Sequence, residues 1–343
     1  MNNTSINSYY YKLPKEQIAE RPLDRRDDSK LLHLDLKNNS RYEKHFSDLL
    51  DILNPGDLLI LNNTRVIPAR INAVKETGGK IELLFNRKIS KIKCEAIFSS
   101  SRPPKLGSKL SINEKPLFIV TNIDNNILTL KATSTVDIFE IYEEYGEVPL
   151  PKYIKRLISY EDKKKYQTVY AKLNGSVAAP TAGLHFTNEM IEKLIKKGIN
   201  IEYITLHISY NTFKPIKSDN YLDHDLGSEY IHVNEKLFSS INKTKESKKR
   251  IVAVGTTVTR AIEFCYSNNI LESYEGPADL FIYPGYEFLA INCMITNFHL
   301  PKSSLLLLVC AFASKDKILD AYNYAVSNKY RFYSYGDSMF LEK

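Results

Sequence analysis

Cysteine is scarce in this chain and forms no framework: Cys94, Cys265, Cys293 and Cys310 lie far apart, and no Cys-x-x-Cys pair occurs. That excludes a disulfide scaffold and a cysteine zinc site, leaving buried thiols in a reducing compartment. Long apolar runs are missing too. The longest, Leu305 to Ala313, has nine residues, about half of the roughly 18 that suggest a membrane span. The polar start Met1-Asn-Asn-Thr-Ser5 has no hydrophobic region of a signal peptide, so a cytoplasmic protein without membrane association is expected. There is no Gly-x-x-x-x-Gly-Lys-Ser/Thr loop, no Gly-x-Gly anywhere and no His-Glu-x-x-His. Nucleotide triphosphatase, dinucleotide-binding and zincin readings therefore lose their main support.

What is present describes a folded chain with room for two domains: 343 residues, 43% hydrophobic and 25% charged. The balance of 47 Lys+Arg against 40 Asp+Glu gives +7, with lysine runs at 163–165, 196–197 and 248–250 (the last ending in Arg250). Such runs suit a polyanionic partner and suit solvated surface equally. From Val66 to Val148, short alternating runs (66–71, 80–85, 94–98, 117–121 and 127–130) are punctuated by turn signals at Gly78-Gly79, Pro103-Pro104 and Asp124-Asn-Asn126. That spacing predicts a small all-β barrel or sandwich inserted into the chain. Outside it, strands are expected at 31–36 and 58–61, near Val177, and at 199–208, 251–254, 279–283 and 291–296. Helices are expected at 46–53, 188–197, 257–266, 303–313 and 316–327. Alternation of this kind predicts an α/β (α+β) fold, a sheet flanked by helices, over 1–65 and 149–343, with 66–148 as the inserted barrel. Pro149 to Tyr153 reads as an extended linker.

In open α/β sheets, ligands collect beyond the carboxyl ends of strands, where helix N-termini offer unpaired N–H groups. Three loops fit. In Val177-Ala-Ala-Pro-Thr-Ala-Gly-Leu-His-Phe186, the chain passes through the small residues Thr181, Ala182 and Gly183, Gly183 allows close backbone approach, and His185 is either a proton carrier or a buried histidine bonded to a carbonyl. Gly255-Thr256-Thr257, with Arg260 one turn later, is either a carboxylate or phosphate pocket or a glycine turn with a threonine cap. In Thr296-Asn-Phe-His-Leu-Pro-Lys-Ser-Ser304, the proline and serines are helix-start chemistry, whereas Asn297, His299 and Lys302 are not required by it. The tail Tyr330 to Asp337, with Arg331 and Asp337 among four aromatics, can stack on a nucleobase or simply dock. His185, His207 and His299 could converge on a metal, but no carboxylate stands at ligand spacing, and no metal site is expected.

These stretches, together with Leu53 to Arg70, Val148 to Arg156, Tyr166 to Lys172, Thr205-Leu-His207 and Phe281 to Gly285, resemble, in order and over nearly the whole chain, the successive motifs of the S-adenosylmethionine:tRNA ribosyltransferase-isomerases of queuosine biosynthesis. The resemblance implies an α/β domain with a β-barrel insertion, and an enzyme that moves the ribosyl part of S-adenosylmethionine onto 7-aminomethyl-7-deazaguanine at the wobble position of a tRNA. A base takes a proton from the carbon beside the sulfonium, adenine leaves, the aminomethyl nitrogen attacks, and an epoxide closes as methionine departs, giving epoxyqueuosine. It implies S-adenosylmethionine as substrate, no cofactor or metal, and a monomer. Carried onto this sequence, it makes His185, His207 and His299 the catalytic candidates. Thr181, Gly183, Gly255, Thr256, Thr257, Arg260, Asn297, Lys302, Arg331 and Asp337 become substrate contacts, and Arg65, Arg70, Lys152 and Arg156 tRNA contacts. The chain departs from the family pattern at Ser209-Tyr210-Asn211 (usually Gly-x-Gly), at Gly227 (usually His, with His224 retained upstream) and at Asn63 (usually Asp). An RNA-binding relative with altered or lost catalysis is the alternative.

Overall fold

The computed structural model describes residues 4–149, 154, 156, 160–209 and 216–343. In chain order the strands are β1 (Lys30–Asp35), β2 (Ser40–His45), β3 (Leu58–Asn62), β4 (Thr64–Val66), β5 (Arg70–Lys75), β6 (Lys80–Ser90), β7 (Lys93–Ser99), β8 (Lys109–Ile112), β9 (Lys115–Asp124), β10 (Ile127–Ala132), β11 (Leu173–Ser176), β12 (Asn200–His207), β13 (Glu229–Val233), β14 (Ile251–Val254), β15 (Tyr274–Ala278), β16 (Cys293–Asn297) and β17 (Ser338–Glu342). The α-helices are α1 (Leu49–Ile52), α2 (Ile138–Tyr145), α3 (Tyr160–Lys165), α4 (Asn188–Lys196), α5 (Glu235–Glu246), α6 (Thr256–Ser267), α7 (Ser304–Ala313) and α8 (Lys315–Ser327).

Two compact units result, one of residues 1–63, 168–171 and 180–343 and the other of 64–167 and 172–179. The first holds a nine-stranded mixed sheet in the order β15-β13-β12-β3-β14-β16-β17-β1-β2. Its centre, Leu58-Leu-Ile-Leu61 and Ile251-Val-Ala-Val254, is apolar without alternation because helices cover both faces, and every one of these side chains is buried. One face packs Leu31, Phe46, Leu59, Val252, Ile295 and Phe340 against Phe186, Met190 and Leu194. α4 starts where the Thr187 hydroxyl accepts the Met190 N–H at 3.1 Å, and α7 where Ser303 accepts the Leu306 N–H at 3.2 Å.

The second unit is a closed six-stranded barrel, β10-β7-β6-β5-β8-β9, with antiparallel pairing throughout. Its alternating strands point Ile71, Leu83, Cys94, Phe118, Leu128 and Leu130 inward, all essentially unexposed. α2 adds Tyr142, edge-on to Phe85 at 5.3 Å between ring centres.

The sequence-based strand at 66–71 is two strands, β4 and β5, interrupted at Ile67-Pro68-Ala69, where proline withholds a ladder donor. The expected strand at 279–283 lies instead at Tyr274–Ala278. Gly276 and Pro277 made that segment unattractive, but β15 is an edge strand whose one partner is β13, so a missing donor is tolerated. The strand expected near Val177 ends at Ser176 and pairs parallel with β4.

Candidate active site

β14 and β16 run parallel, with Val254 opposite Ile295, so the loops after them emerge side by side. β17 is antiparallel to β16, pairing Ser338 with Asn297, and β1 is parallel to β17, pairing Leu31 with Ser338. That topology brings the start of β1, the end of β16 and the Tyr330–Asp337 tail to one end of these neighbouring strands. A single 3-10 turn, Thr181–His185, completes the locus. Gly183 is required there by space: a Cβ would lie 2.1 Å from the Tyr170 hydroxyl. Gly255 has φ 93°, a backbone setting that favours glycine, and a Cβ there would sit 3.5 Å from the Ala182 methyl. The 181–185 and 255–257 loops are therefore neighbours.

His185 is buried at this junction, its ring stacked on Phe46 at 4.9 Å. Nδ1 lies 2.7 Å from the Ser29 hydroxyl and Nε2 lies 3.1 Å from the Asn297 amide nitrogen. Burial, and then the Arg26 and Arg331 guanidinium groups, push its pKa down to about 3. The Asn297 amide nitrogen also reaches the Asp337 carbonyl at 3.4 Å. The Asp337 carboxylate accepts the Lys30 N–H at 2.9 Å and the Arg331 N–H at 2.8 Å; burial raises its pKa against those bonds. Thr257 Oγ1, Asn297 Oδ1, Arg331 Nη1 and the Tyr170 hydroxyl are buried polar atoms with no hydrogen-bond partner among the described residues. Native interiors rarely leave such groups unpaired, and these four leave hydrogen-bonding capacity for a polar ligand.

The other candidates are placed elsewhere or held differently. His299 Nε2 is 2.8 Å from the Thr296 hydroxyl, the His299 main-chain N–H donates to the Tyr322 hydroxyl at 3.1 Å, and burial pushes the imidazole pKa down to about 3. His207 ends β12 and is partly exposed; desolvation, opposed by Glu275, sets its pKa at about 4. Arg260 is committed to a buried ion pair with Glu229 at 2.6 Å and donates from Nε to the Leu280 carbonyl at 3.1 Å. Lys302 donates from Nζ to Asn7 Oδ1 at 2.6 Å. Arg331 donates from Nη2 to the Arg21 carbonyl. Thr181 is partly exposed, and Thr256 is buried in the first turn of α6.

In the barrel unit, Arg65 is exposed, Arg70 lies 3.6 Å from Glu82, and Arg156 pairs with Asp162 through two bonds of 2.7 and 2.6 Å. Lys152 and the Tyr210-Asn211 departure lie outside the described residues, as does most of the 149–153 linker. Among the described residues no group of three or more His, Cys, Asp or Glu is placed to hold a metal ion. No helix among them is long and apolar enough to cross a membrane.

Sequence reasoning passed over Ser29, Arg26 and Tyr170. The first two sit in the charged run Arg21 to Lys30 just before β1, and only the pairing of β1 with β17 reveals that they reach His185.

Comparison with known proteins bears on the same motifs. The profile of the family described as queuosine biosynthesis protein matches residues 6–341. The chain is 44% identical over 331 residues to a protein of Francisella tularensis subsp. tularensis named S-adenosylmethionine:tRNA ribosyltransferase-isomerase, covering 96% of this chain and 98% of that one. A protein of the same name from Francisella philomiragia is 45% identical over 332 residues, again with 96% and 98% coverage. Among solved structures, the crystal structure of S-adenosylmethionine tRNA ribosyltransferase from Thermotoga maritima is similar with a TM-score of 0.58 and 33% identity, covering 97% of this chain and 99% of that one. Matched from end to end in profile, sequence and fold, the chain belongs to the queuosine biosynthesis protein family.

Proposed function

We propose that this protein is an S-adenosylmethionine:tRNA ribosyltransferase-isomerase that transfers and isomerises the ribosyl moiety of S-adenosylmethionine onto 7-aminomethyl-7-deazaguanine at the tRNA wobble position, releasing adenine and methionine. The observation that carries the proposal is the convergence of the 181–185, 255–257 and 296–299 loops at the carboxyl ends of β14 and β16, in a chain 44% identical to a named enzyme. S-adenosylmethionine is the substrate in this reading, and no metal is required. A monomer in the cytoplasm, with the 66–148 segment as an insertion whose Arg65 and Arg70 join Lys152 and Arg156 in touching tRNA, completes it.

Among the three histidines, we assign proton transfer to His207. It is the one of the three that is partly exposed, where the other two are buried, and it stands at the carboxyl end of a sheet strand, where ligands collect in open α/β sheets. His185 and His299 are buried, and their contacts with Ser29, Asn297 and Thr296 suit holding other groups. Thr257 and Arg331, each with a buried polar atom lacking a partner, are the better candidates for binding the substrate's carboxylate and hydroxyls than Arg260.

The test is release of adenine from S-adenosylmethionine by purified protein with tRNA bearing the aminomethyl-deazaguanine. Release is expected with and without a chelator, and strict dependence on added metal would sink the proposal. Substitution His207→Gln is expected to lower the single-turnover rate roughly 100-fold, the lower range for loss of a general base. An unchanged rate in that variant would return the role to another group.

A further inference from the structure

The hydrogen-bond chain through His185 has only one consistent direction. The Asn297 amide nitrogen has two hydrogens and two acceptors within reach, His185 Nε2 at 3.1 Å and the Asp337 carbonyl at 3.4 Å. A main-chain carbonyl only accepts, so the NH2 group must face this side; turning the amide over would set oxygen against oxygen. Nε2 is then the acceptor and the ring proton is on Nδ1. Nδ1–H donates to the Ser29 oxygen at 2.7 Å, and the Ser29 hydroxyl donates onward to the Arg26 carbonyl at 3.3 Å. Every member is satisfied except one. Asn297 Oδ1, on a residue 2% exposed, has no donor among the described residues.

Resting on the functional reading above, we propose that Asn297 Oδ1 accepts a hydrogen bond from a neutral hydroxyl or amino group of a bound nucleoside, and that Ser29 and His185 are positioning residues that hold the amide with its oxygen toward that ligand. An amide left to itself presents either atom; the Ser29–His185 relay removes the choice before the ligand arrives, so no reorientation is needed on binding. The donor is neutral because the place is buried: Asn297 and His185 are 2% and 5% exposed. Burial first, and the Arg26 and Arg331 guanidinium groups after it, disfavour a positive charge on His185, and an ammonium group beside it meets the same penalty. Two nucleosides carry such donors, that of S-adenosylmethionine and the deazaguanine nucleotide, and affinity separates them.

Long-range 15N–1H spectra of the full-length protein report the His185 tautomer without any turnover. The expected result is a neutral ring protonated on Nδ1 between pH 6 and 8. A ring protonated on Nε2 overturns the proposal, since the amide would then face the other way. Substitution Asn297→Leu is expected to weaken binding roughly 10-fold or more, the ordinary consequence of losing a buried partner. If the rise is in the dissociation constant for S-adenosylmethionine measured alone, the donor is on that nucleoside. If it is in KM for the modified tRNA, the donor is on the deazaguanine nucleotide. Values within twofold of the parent for both overturn the proposal. Ser29→Ala is expected to lower kcat/KM several-fold, with Ser29→Thr, which keeps the hydroxyl, restoring it; equal activity in parent and Ser29→Ala overturns the positioning role. A parent protein that releases no adenine from the two substrates together defeats the functional reading instead, and the tautomer alone then decides the relay.

Discussion

Replacing Glu229 by alanine is expected to lower the free energy of unfolding by about 3–5 kcal/mol, the usual cost of stranding one member of a buried ion pair. Arg260 and Glu229 side chains are 5% and 3% exposed and meet at 2.6 Å. Arg260 lies on α6, buried along nearly its whole length, and cannot turn its guanidinium to water without dragging the helix from the sheet. The double substitution Glu229→Leu with Arg260→Met is expected to recover most of the loss, because it removes both charges and their desolvation together. Urea denaturation of parent, single and double variants measures the coupling. The same series separates this structural role from the carboxylate-binding role that the sequence suggested for Arg260. Were the guanidinium a substrate ligand, Arg260→Met would raise KM for S-adenosylmethionine while leaving stability near that of the parent. That outcome would refute the structural assignment.

Arg260 illustrates what a sequence hides. A glycine, two threonines and an arginine at the start of a helix carry the same local pattern whether the arginine faces a ligand or a carboxylate 31 positions away. The local pattern was enough for the central strands: 58–61, 251–254 and 291–296 are apolar runs bounded by turn residues, and the structure has strands at 58–62, 251–254 and 293–297. The three loops that follow or face them were legible because helix-start chemistry did not account for Asn297, His299 or His185. Elements whose pattern is polar were not read. β2, Ser-Arg-Tyr-Glu-Lys-His, is an exposed edge strand. β13 alternates over only five residues, and α5 keeps a narrow apolar stripe of Leu237, Phe238 and Ile241. β17 follows directly on the aromatic tail and has no element assigned to it from sequence, although Met339, Phe340 and Leu341 are entirely buried between β16 and β1. Ser29 belongs to the same class of omission. Its meaning comes from a contact with His185, 156 positions away, and nothing nearby in sequence announces it.

Acidification is expected to destabilise the protein steeply below about pH 6. Burial pushes His185 and His299 down to about 3 and His207 to about 4, whereas a histidine in the unfolded chain titrates near 6.5. Between those values the unfolded state binds more protons than the native state, so stability falls as pH falls. The contribution of each ring is intact above about 6.5 and is lost progressively toward its folded value. Each such histidine adds a slope of about 1.4 kcal/mol per pH unit. Asp337 opposes them in part: burial raises its pKa, so the native state holds its proton more readily and gains stability as pH falls toward the ordinary carboxyl range. Three imidazoles set an upper limit of about three protons, or about 4 kcal/mol per pH unit, and a stability of about 5–15 kcal/mol is consumed within a few units. Urea midpoints at pH 7, 6 and 5, with proton uptake on unfolding measured by calorimetry in two buffers of different ionisation enthalpy, test the slope and its origin. His299→Gln keeps an amide for the Thr296 contact and cannot protonate, so its slope should be shallower by about one proton while its stability at pH 7 changes less. Stability that stays flat from pH 7 to pH 5 would mean that these rings reach solvent and protonate in the folded state, contrary to the packing of His185 against Phe46 and of His299 against Thr296.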